Sequence, residues 1–168
     1  MSPAFRARTV GLLATVTMLS CSGRSEVVCS TPVPLSKTSI GEVQAQAEAI
    51  LRARGYAFYP AAEQMRRIER YDVPLRTHYD SFLYAERDVP GVCGVGAMEC
   101  RGVGVVIVYF VRDQGDNATG WQAFVRAYVS RRSSALDRFS LVQVTREIQA
   151  DADAIVQELR LAQPEVIS

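Results

Sequence analysis

The sequence predicts an α+β domain in which an antiparallel β-sheet carries helices packed on one face. Two observations predict this fold class. Two segments rich in β-branched and aromatic residues, 103–112 and 121–130, flank a polar connection bounded by glycines. This is the pattern of a long antiparallel hairpin over about 103–130. Apolar residues also recur at helical spacing before and after this hairpin, at 40–51 and 146–161.

The first 20 residues have the layout of an export signal. Arg6 and Arg8 form a positive segment, and ten mostly apolar residues follow from Val10 to Leu19. A transmembrane helix needs about 20 apolar residues to cross the hydrocarbon core. We therefore expect residues 1–20 to be removed as a signal peptide.

The residues Met18, Leu19, Ser20 and Cys21 resemble the lipobox of bacterial lipoproteins, with Met18 where leucine is usual. The resemblance implies that Cys21 is lipidated and becomes the first mature residue. It further implies anchoring in the cell envelope, most often in the outer membrane, because Ser22 follows the cysteine. The resemblance covers the N-terminal segment alone. The alternative is an ordinary secretory signal cleaved nearby, for instance after Ser22.

The mature chain is nearly neutral. Without Arg6 and Arg8, 17 of the 19 Lys and Arg residues remain against 18 Asp and Glu residues. This balance gives no reason to expect nucleic acid as a partner. The remaining length is sufficient for one domain with a substantial core.

Residues 21–38 are predicted to form a lipidated N-terminus and tether, and residues 39–168 a single globular domain. Half of the residues from Ser22 to Ser39 are Ser, Thr or Pro, and Pro32 and Pro34 favour extended backbone. The alternative is that VVCSTPV, at 27–33, adds a short edge strand.

Two helices are predicted in the first half of the domain. Ser39 and Glu42 match a capping box, and Gly55 is suited to end the first helix in a left-handed conformation. A short strand, 56–59, follows. Pro60 then opens a second helix, which would carry Ala61, Met65 and Ile68 inward and Arg66, Arg67 and Arg70 outward.

The second half of the chain contains the clearest strand signals. Residues 72–90 give conflicting signals, although SFLYA at 81–85 is strand-like. Residues 103–112 are apolar on both faces, as in a central strand, and 121–130 alternate between two faces. A C-terminal helix is predicted over at least 146–161, whereas FSLVQV at 139–144 is compatible with one more strand.

Three cysteines remain after Cys21. Cys93 and Cys100 are predicted to form a disulfide, because the glycines between them allow a tight loop and an exported compartment permits oxidation. Cys29 is then left over as a free thiol or an intermolecular partner. A zinc site is disfavoured because His78 is the only histidine. No cofactor is expected.

No complete catalytic set is visible. His78 has Asp80 nearby, but Ser81 lies in no nucleophile motif. The glycines complete no phosphate-binding motif and lead into a strand instead of a helix; they are Gly94, Gly96, Gly102 and Gly104. The polar residues of the hairpin tip do not match a calcium loop; they are Asp113, Asp116 and Asn117. Three aromatic residues fit either a binding patch or the core; they are Trp121, Phe124 and Tyr128.

Three functional hypotheses follow. The first is a membrane-anchored envelope lipoprotein whose non-catalytic domain binds another envelope protein. The second is a periplasmic module that binds a small ligand. The third is a hydrolase that acts through His78 and Asp80. The sequence favours the first, and no enzyme activity is assigned.

Overall fold

The computed structural model describes residues 26–35, 39–72, 79–93, 100–112, 120–133 and 138–161. It contains seven strands and three helices within these ranges, and all strand pairs are antiparallel. The elements are β1 (Val27–Cys29), β2 (Val33–Leu35), α1 (Ile40–Ala53), β3 (Ala57–Phe58), α2 (Ala61–Asp72), β4 (Ser81–Asp88), β5 (Cys100–Arg112), β6 (Trp121–Ser133), β7 (Arg138–Val142) and α3 (Arg146–Leu161). The α+β class, the antiparallel sheet and the C-terminal helix are confirmed.

The sheet is built around the β5–β6 hairpin. Its register runs from Arg112 opposite Trp121 to Cys100 opposite Ser133, so the hairpin is longer at its open end than 103–130. The strand order is β1–β6–β5–β4–β3, and β2 and β7 also pair with β6. The outer edge of β6 is therefore shared by three short strands. The connection 113–119 lies outside the described residues.

Helices cover both faces of the sheet. The first face packs against α1 and α3, which bury Leu51 and Ile148. The second face packs against α2, which buries Ile68 and Tyr71 over Tyr84 of β4. The expectation that all helices share one face is thus wrong for α2. The reason lies in β5, whose residues are buried from 102 to 110 on both faces, so each face requires a cover.

The orientation of α2 also differs from the expectation. Ile68 is buried as predicted, but Met65 is 47% exposed and the Arg67 guanidinium is directed toward the sheet. The inward face of α2 runs through Gln64, Ile68 and Tyr71, at spacings of four and three residues. Met65 lies beside this stripe.

The N-terminal segment takes part in the sheet. Val27 lies opposite Tyr128, and Val33 lies opposite Ala123. Residues 27–35 were included in the predicted tether, and the structure instead supports the edge-strand alternative. The domain therefore begins before residue 39.

Two local signals have different outcomes in α1. Gly55 has φ +78° just after the helix, as predicted. The capping box is not formed, because Ser39 makes no side-chain cap hydrogen bond; its carbonyl oxygen accepts from the backbone N–H groups of Glu42 and Val43.

Over the described ranges, no helix combines the length and apolar character needed to cross a membrane.

Candidate binding sites

A buried carboxylate lies beneath α2. Strand β4 directs Glu86 and Tyr84 to the same face, and Glu86 is only 2% exposed. Its Oε1 accepts hydrogen bonds from the Tyr59 hydroxyl and from Arg67 Nη1 at 2.7 Å. Its Oε2 accepts from the Tyr84 hydroxyl at 2.9 Å and from Arg132 Nη2 at 2.7 Å. We call these five residues the Glu86 cluster.

The protonation state of the Glu86 cluster follows from its hydrogen bonds. Burial acts to raise the pKa of Glu86, but hydrogen bonds from Tyr59 and Arg132 hold that pKa below its usual value. Burial raises the pKa of Tyr84, and the nearby Tyr71 and Glu86 raise it further. At neutral pH the carboxylate is ionised and the hydroxyls are protonated donors. The cluster is suited to fixing guanidinium groups and offers no carboxylic acid for proton transfer.

The two arginines of the cluster are held in place by further contacts. The Arg67 guanidinium lies 3.6 Å from the centre of the Tyr59 ring and also pairs with Glu63 at 2.5 Å. Arg132 Nη2 donates to the Tyr71 hydroxyl at 2.9 Å. Because a planar guanidinium has fixed donor directions, these contacts determine where its remaining N–H groups point.

An open cleft of about 220 Å³ lies beside these guanidinium groups. We call it the arginine cleft. Arg66 and Arg70 of α2 line it together with Glu63, Arg67 and Arg132. Within the described part of the chain, neither Arg66 nor Arg70 makes an ion pair or side-chain hydrogen bond. The cleft thus combines two fixed guanidinium groups with two that have no partner among the described residues.

A second concavity of about 390 Å³ lies between α1 and α2, along the first half of β4. We call it the strand-edge groove. Its floor and walls are formed by helix and strand side chains in roughly equal number: Gln44, Glu48, Ala61, Gln64 and Met65 from the helices, and Tyr79, Asp80, Ser81, Phe82 and Leu83 from β4 and the residues before it.

Among the residues that the structure describes, the outer edge of β4 is only partly covered. Strand β3 pairs with it at two positions, 57 with 86 and 58 with 85. At the next position the Gln64 side chain takes the place of a strand residue. Its Nε2 donates to the Tyr59 carbonyl at 2.7 Å, and its Oε1 accepts from the Tyr84 backbone N–H at 3.1 Å. Beyond Gln64, toward Ser81, the edge opens into the groove.

The cysteine predictions have two outcomes. Cys93 and Cys100 form a disulfide, with their Cα atoms 5.9 Å apart. Cys29 is also disulfide-bonded, so its interpretation as a free thiol is wrong; its partner lies outside the described residues. Several other candidates lie outside the described residues as well: Cys21, His78, Gly94, Gly96, Asp113, Asp116 and Asn117.

The other polar candidates that the structure describes have structural contacts. Asp80 Oδ2 accepts the backbone N–H of Arg112 at 2.7 Å, and the Ser81 hydroxyl accepts from Gln44 Nε2 at 2.6 Å. Gly102 and Gly104 lie in β5, where an added Cβ at either position would collide with its neighbours. Both glycines therefore serve close packing.

The aromatic candidates belong mainly to the packing of β6. Tyr128 is fully buried, and Phe124 is stacked on Tyr109 with ring centres 4.9 Å apart. Trp121 is partly buried, with the Arg112 guanidinium 5.3 Å from its ring centre. These residues support the core interpretation over the binding patch.

Sequence reasoning did not identify Glu86 or Arg132 as site residues. One signal was available: Phe82, Tyr84 and Glu86 alternate with the apolar Leu83 and Ala85, so a carboxylate occupies a strand face that is otherwise aromatic. A charge at such a position indicates a buried ion pair.

No group of three or more His, Cys, Asp and Glu side chains suited to a metal ion occurs among the described residues. No family model, curated protein or solved structure matches this chain. The arginine cleft and the strand-edge groove are therefore the candidate binding sites in the described part of the chain.

Proposed function

We propose that this chain is a membrane-anchored lipoprotein of the bacterial envelope whose non-catalytic domain binds an extended segment of another envelope protein in the strand-edge groove. A lipid on Cys21 would hold it on the membrane, and Ser22 favours the outer membrane. The proposed binding to a partner rests on the part of the β4 edge that no described strand covers. The lipobox resemblance carries the anchoring half.

Backbone hydrogen bonding supports a strand as the bound form. The Tyr84 N–H points away from β5, toward Gln64. Because backbone groups of a strand repeat every two residues, the N–H and C=O of Phe82 point to the same open edge. An added strand can pair with Phe82, and pairing with an exposed edge is a common way for domains to bind peptides.

The side chains of the groove restrict which segment fits. Met65 and Phe82 offer apolar surface, which suits an apolar side chain of the partner. The charged residues in the described lining are Glu48 and Asp80, both acidic, and Glu48 is partly neutralised by Arg52 at 2.6 Å. We therefore expect a segment with an apolar residue and a basic one close to it.

Crosslinking tests the groove directly. A photoreactive amino acid at position 65 of the full chain should capture a partner in detergent-solubilised membranes, and the crosslinked peptide should be an extended segment. The matched control is position 161, because Leu161 is also apolar, is 76% exposed and lies on α3. Equal capture at both positions, or capture at neither, would contradict the proposal.

Substitution gives a second readout. Met65→Asp should weaken partner recovery about tenfold, which corresponds to about 1.4 kcal/mol, whereas Leu161→Asp should not change it. Because both residues are exposed, both variants should fold. If Met65→Asp recovers the partner as well as the unsubstituted chain, the groove is not the binding surface.

Anchoring is tested separately with Cys21→Ser. Without acyl chains the domain loses its high local concentration at the membrane, and a weak contact is diluted. We expect this variant to fail in complementing a gene deletion at matched protein level. Full complementation would show that the anchor is not required, while leaving the groove experiments independent.

A further inference from the structure

We propose that the arginine cleft is a binding site for an oxyanion of the phosphate class, carried by a small phosphorylated compound or a lipid headgroup. This site lies on the α2 face of the sheet and is separate from the strand-edge groove. It follows from the guanidinium groups that converge on the cleft and does not depend on the proposed function.

The fixed half of the site consists of Arg67 and Arg132. Both bind the buried Glu86 carboxylate at 2.7 Å, so their guanidinium planes are oriented before any ligand arrives. Each guanidinium has five N–H donors, and Glu86, together with Glu63 on Arg67 and Tyr71 on Arg132, uses only part of them. Donors that are preoriented in this way lose little side-chain entropy on binding an anion.

The adaptable half of the site consists of Arg66 and Arg70. They lie four residues apart on α2, on adjacent turns of one helix face, where like charges repel. Neither has an ion-pair partner among the residues that the structure describes. A bound anion would relieve this repulsion, and their long side chains can close over it.

Charge balance favours a doubly charged ligand. Among the described residues of the lining and directly behind it, four arginines meet two carboxylates, Glu63 and Glu86, and this described set has an excess of two positive charges. A phosphate monoester carries about 1.5 to 2 negative charges at neutral pH. Planar guanidinium forks also match the oxygen geometry of phosphate. A single carboxylate would neutralise only half of the excess.

The first experiment is calorimetric titration of the detergent-solubilised full chain with inorganic phosphate at constant ionic strength. We expect saturable binding that acetate does not compete for. The double variant Arg66→Gln/Arg70→Gln should bind phosphate at least about tenfold more weakly. The matched control is Arg146→Gln/Arg160→Gln, which removes two exposed arginines of α3 on the other face of the sheet and should bind normally.

The outcomes decide the proposal. Absence of saturable phosphate binding overturns it. Acetate binding as tight as phosphate overturns the phosphate assignment in favour of a carboxylate. An equal loss in the two double variants overturns the location and shows a general charge effect. NMR shifts of the Arg66 and Arg70 Nε–H signals on phosphate addition should place the anion in the cleft.

A second titration distinguishes the two sources of phosphate. A soluble short-chain phosphatidic acid is compared with inorganic phosphate on the same protein. Clearly tighter binding of the lipid, lost in the Arg66→Gln/Arg70→Gln variant, assigns the site to a headgroup. Equal affinity assigns it to a small phosphorylated compound. Both results support an oxyanion site of the phosphate class.

Discussion

Replacing the buried Glu86 with glutamine should strongly destabilise the domain. The carboxylate is 2% exposed and receives hydrogen bonds from two tyrosines and two arginines. Glutamine keeps the shape but removes the charge, and it presents an NH₂ group to neighbouring donors. Breaking a buried ion pair typically costs about 3 to 5 kcal/mol. We expect about 3 kcal/mol, because Arg67 retains Glu63 and the side chains of Arg67 and Arg132 are each 21% exposed.

The loss of stability in Glu86→Gln should become smaller as the pH falls. The pKa of Glu86 in the folded protein lies below its ordinary value of 4.5. A carboxyl with a lowered folded pKa contributes its full stabilisation above the unfolded pKa and loses it as pH falls through the folded pKa. The difference in unfolding free energy between wild type and Glu86→Gln should therefore be constant near neutral pH and shrink below about 4.5.

Urea unfolding followed by circular dichroism at a series of pH values measures both effects. The matched control is Glu48→Gln, which removes an exposed carboxylate paired with Arg52 on the surface of α1. That pair should contribute about 0.5 kcal/mol or less. A Glu86→Gln variant as stable as Glu48→Gln would refute the reasoning, as would a loss that persists unchanged at acidic pH.

Three further predictions concern the packing of a glycine, the Cys93–Cys100 disulfide and catalysis. Gly104→Ala should lower the unfolding free energy by about 1 to 3 kcal/mol, because the added Cβ would lie 2.8 Å from a valine side chain and closer still to an isoleucine of α3. The control is Gly41→Ala, which should not destabilise the domain because no atom lies nearer than 3.6 Å to the added Cβ. Urea unfolding compares the two variants. Replacing Cys93 and Cys100 with serine should cost about 2 kcal/mol, and an unchanged unfolding midpoint would contradict this. His78→Ala should complement a gene deletion; a folded, membrane-bound but inactive variant would favour an enzyme.

The predictable part of the fold is the part that local patterns encode. The run 103–112 is β-branched and apolar on both faces, and it became the central strand β5. Helix α3 occupies 146–161, the range that its apolar spacing predicts. Gly55 ends α1 because a left-handed residue is needed there, and glycine adopts that conformation without steric cost. Each of these signals lies within one continuous stretch of the chain, at most 16 residues long.

The Glu86 cluster could not be predicted in the same way. Its partners lie 27 residues away at Tyr59, 19 at Arg67 and 46 at Arg132. Local polarity alone places Arg67 on the solvent face of α2. A buried carboxylate reverses that preference, because its charge is stable in the interior only when cations and hydroxyls surround it.

The strand-edge groove depends on a feature that no local pattern encodes, the early end of β3. Strand β3 leaves the edge after Phe58, and the Gln64 side chain replaces one further ladder position. Nothing in the sequence around Gln64 distinguishes it from an exposed helix residue. The groove is therefore visible only after helix, strand and turn are assembled.

The cysteines allow a decisive test of the membrane anchor. Cys93 and Cys100 are joined to each other, and Cys29 is disulfide-bonded as well. Cys21 is the remaining one of the four cysteines in the sequence, and lipidation would use the same Sγ atom that a disulfide needs. If Cys21 carries the lipid, a Cys29 disulfide in the mature protein must join it to another chain. Mass spectrometry of the mature N-terminus, with non-reducing peptide mapping, should find a lipidated Cys21. A peptide that joins Cys21 to Cys29 would exclude the lipid, and the domain would then act without the anchor that we propose.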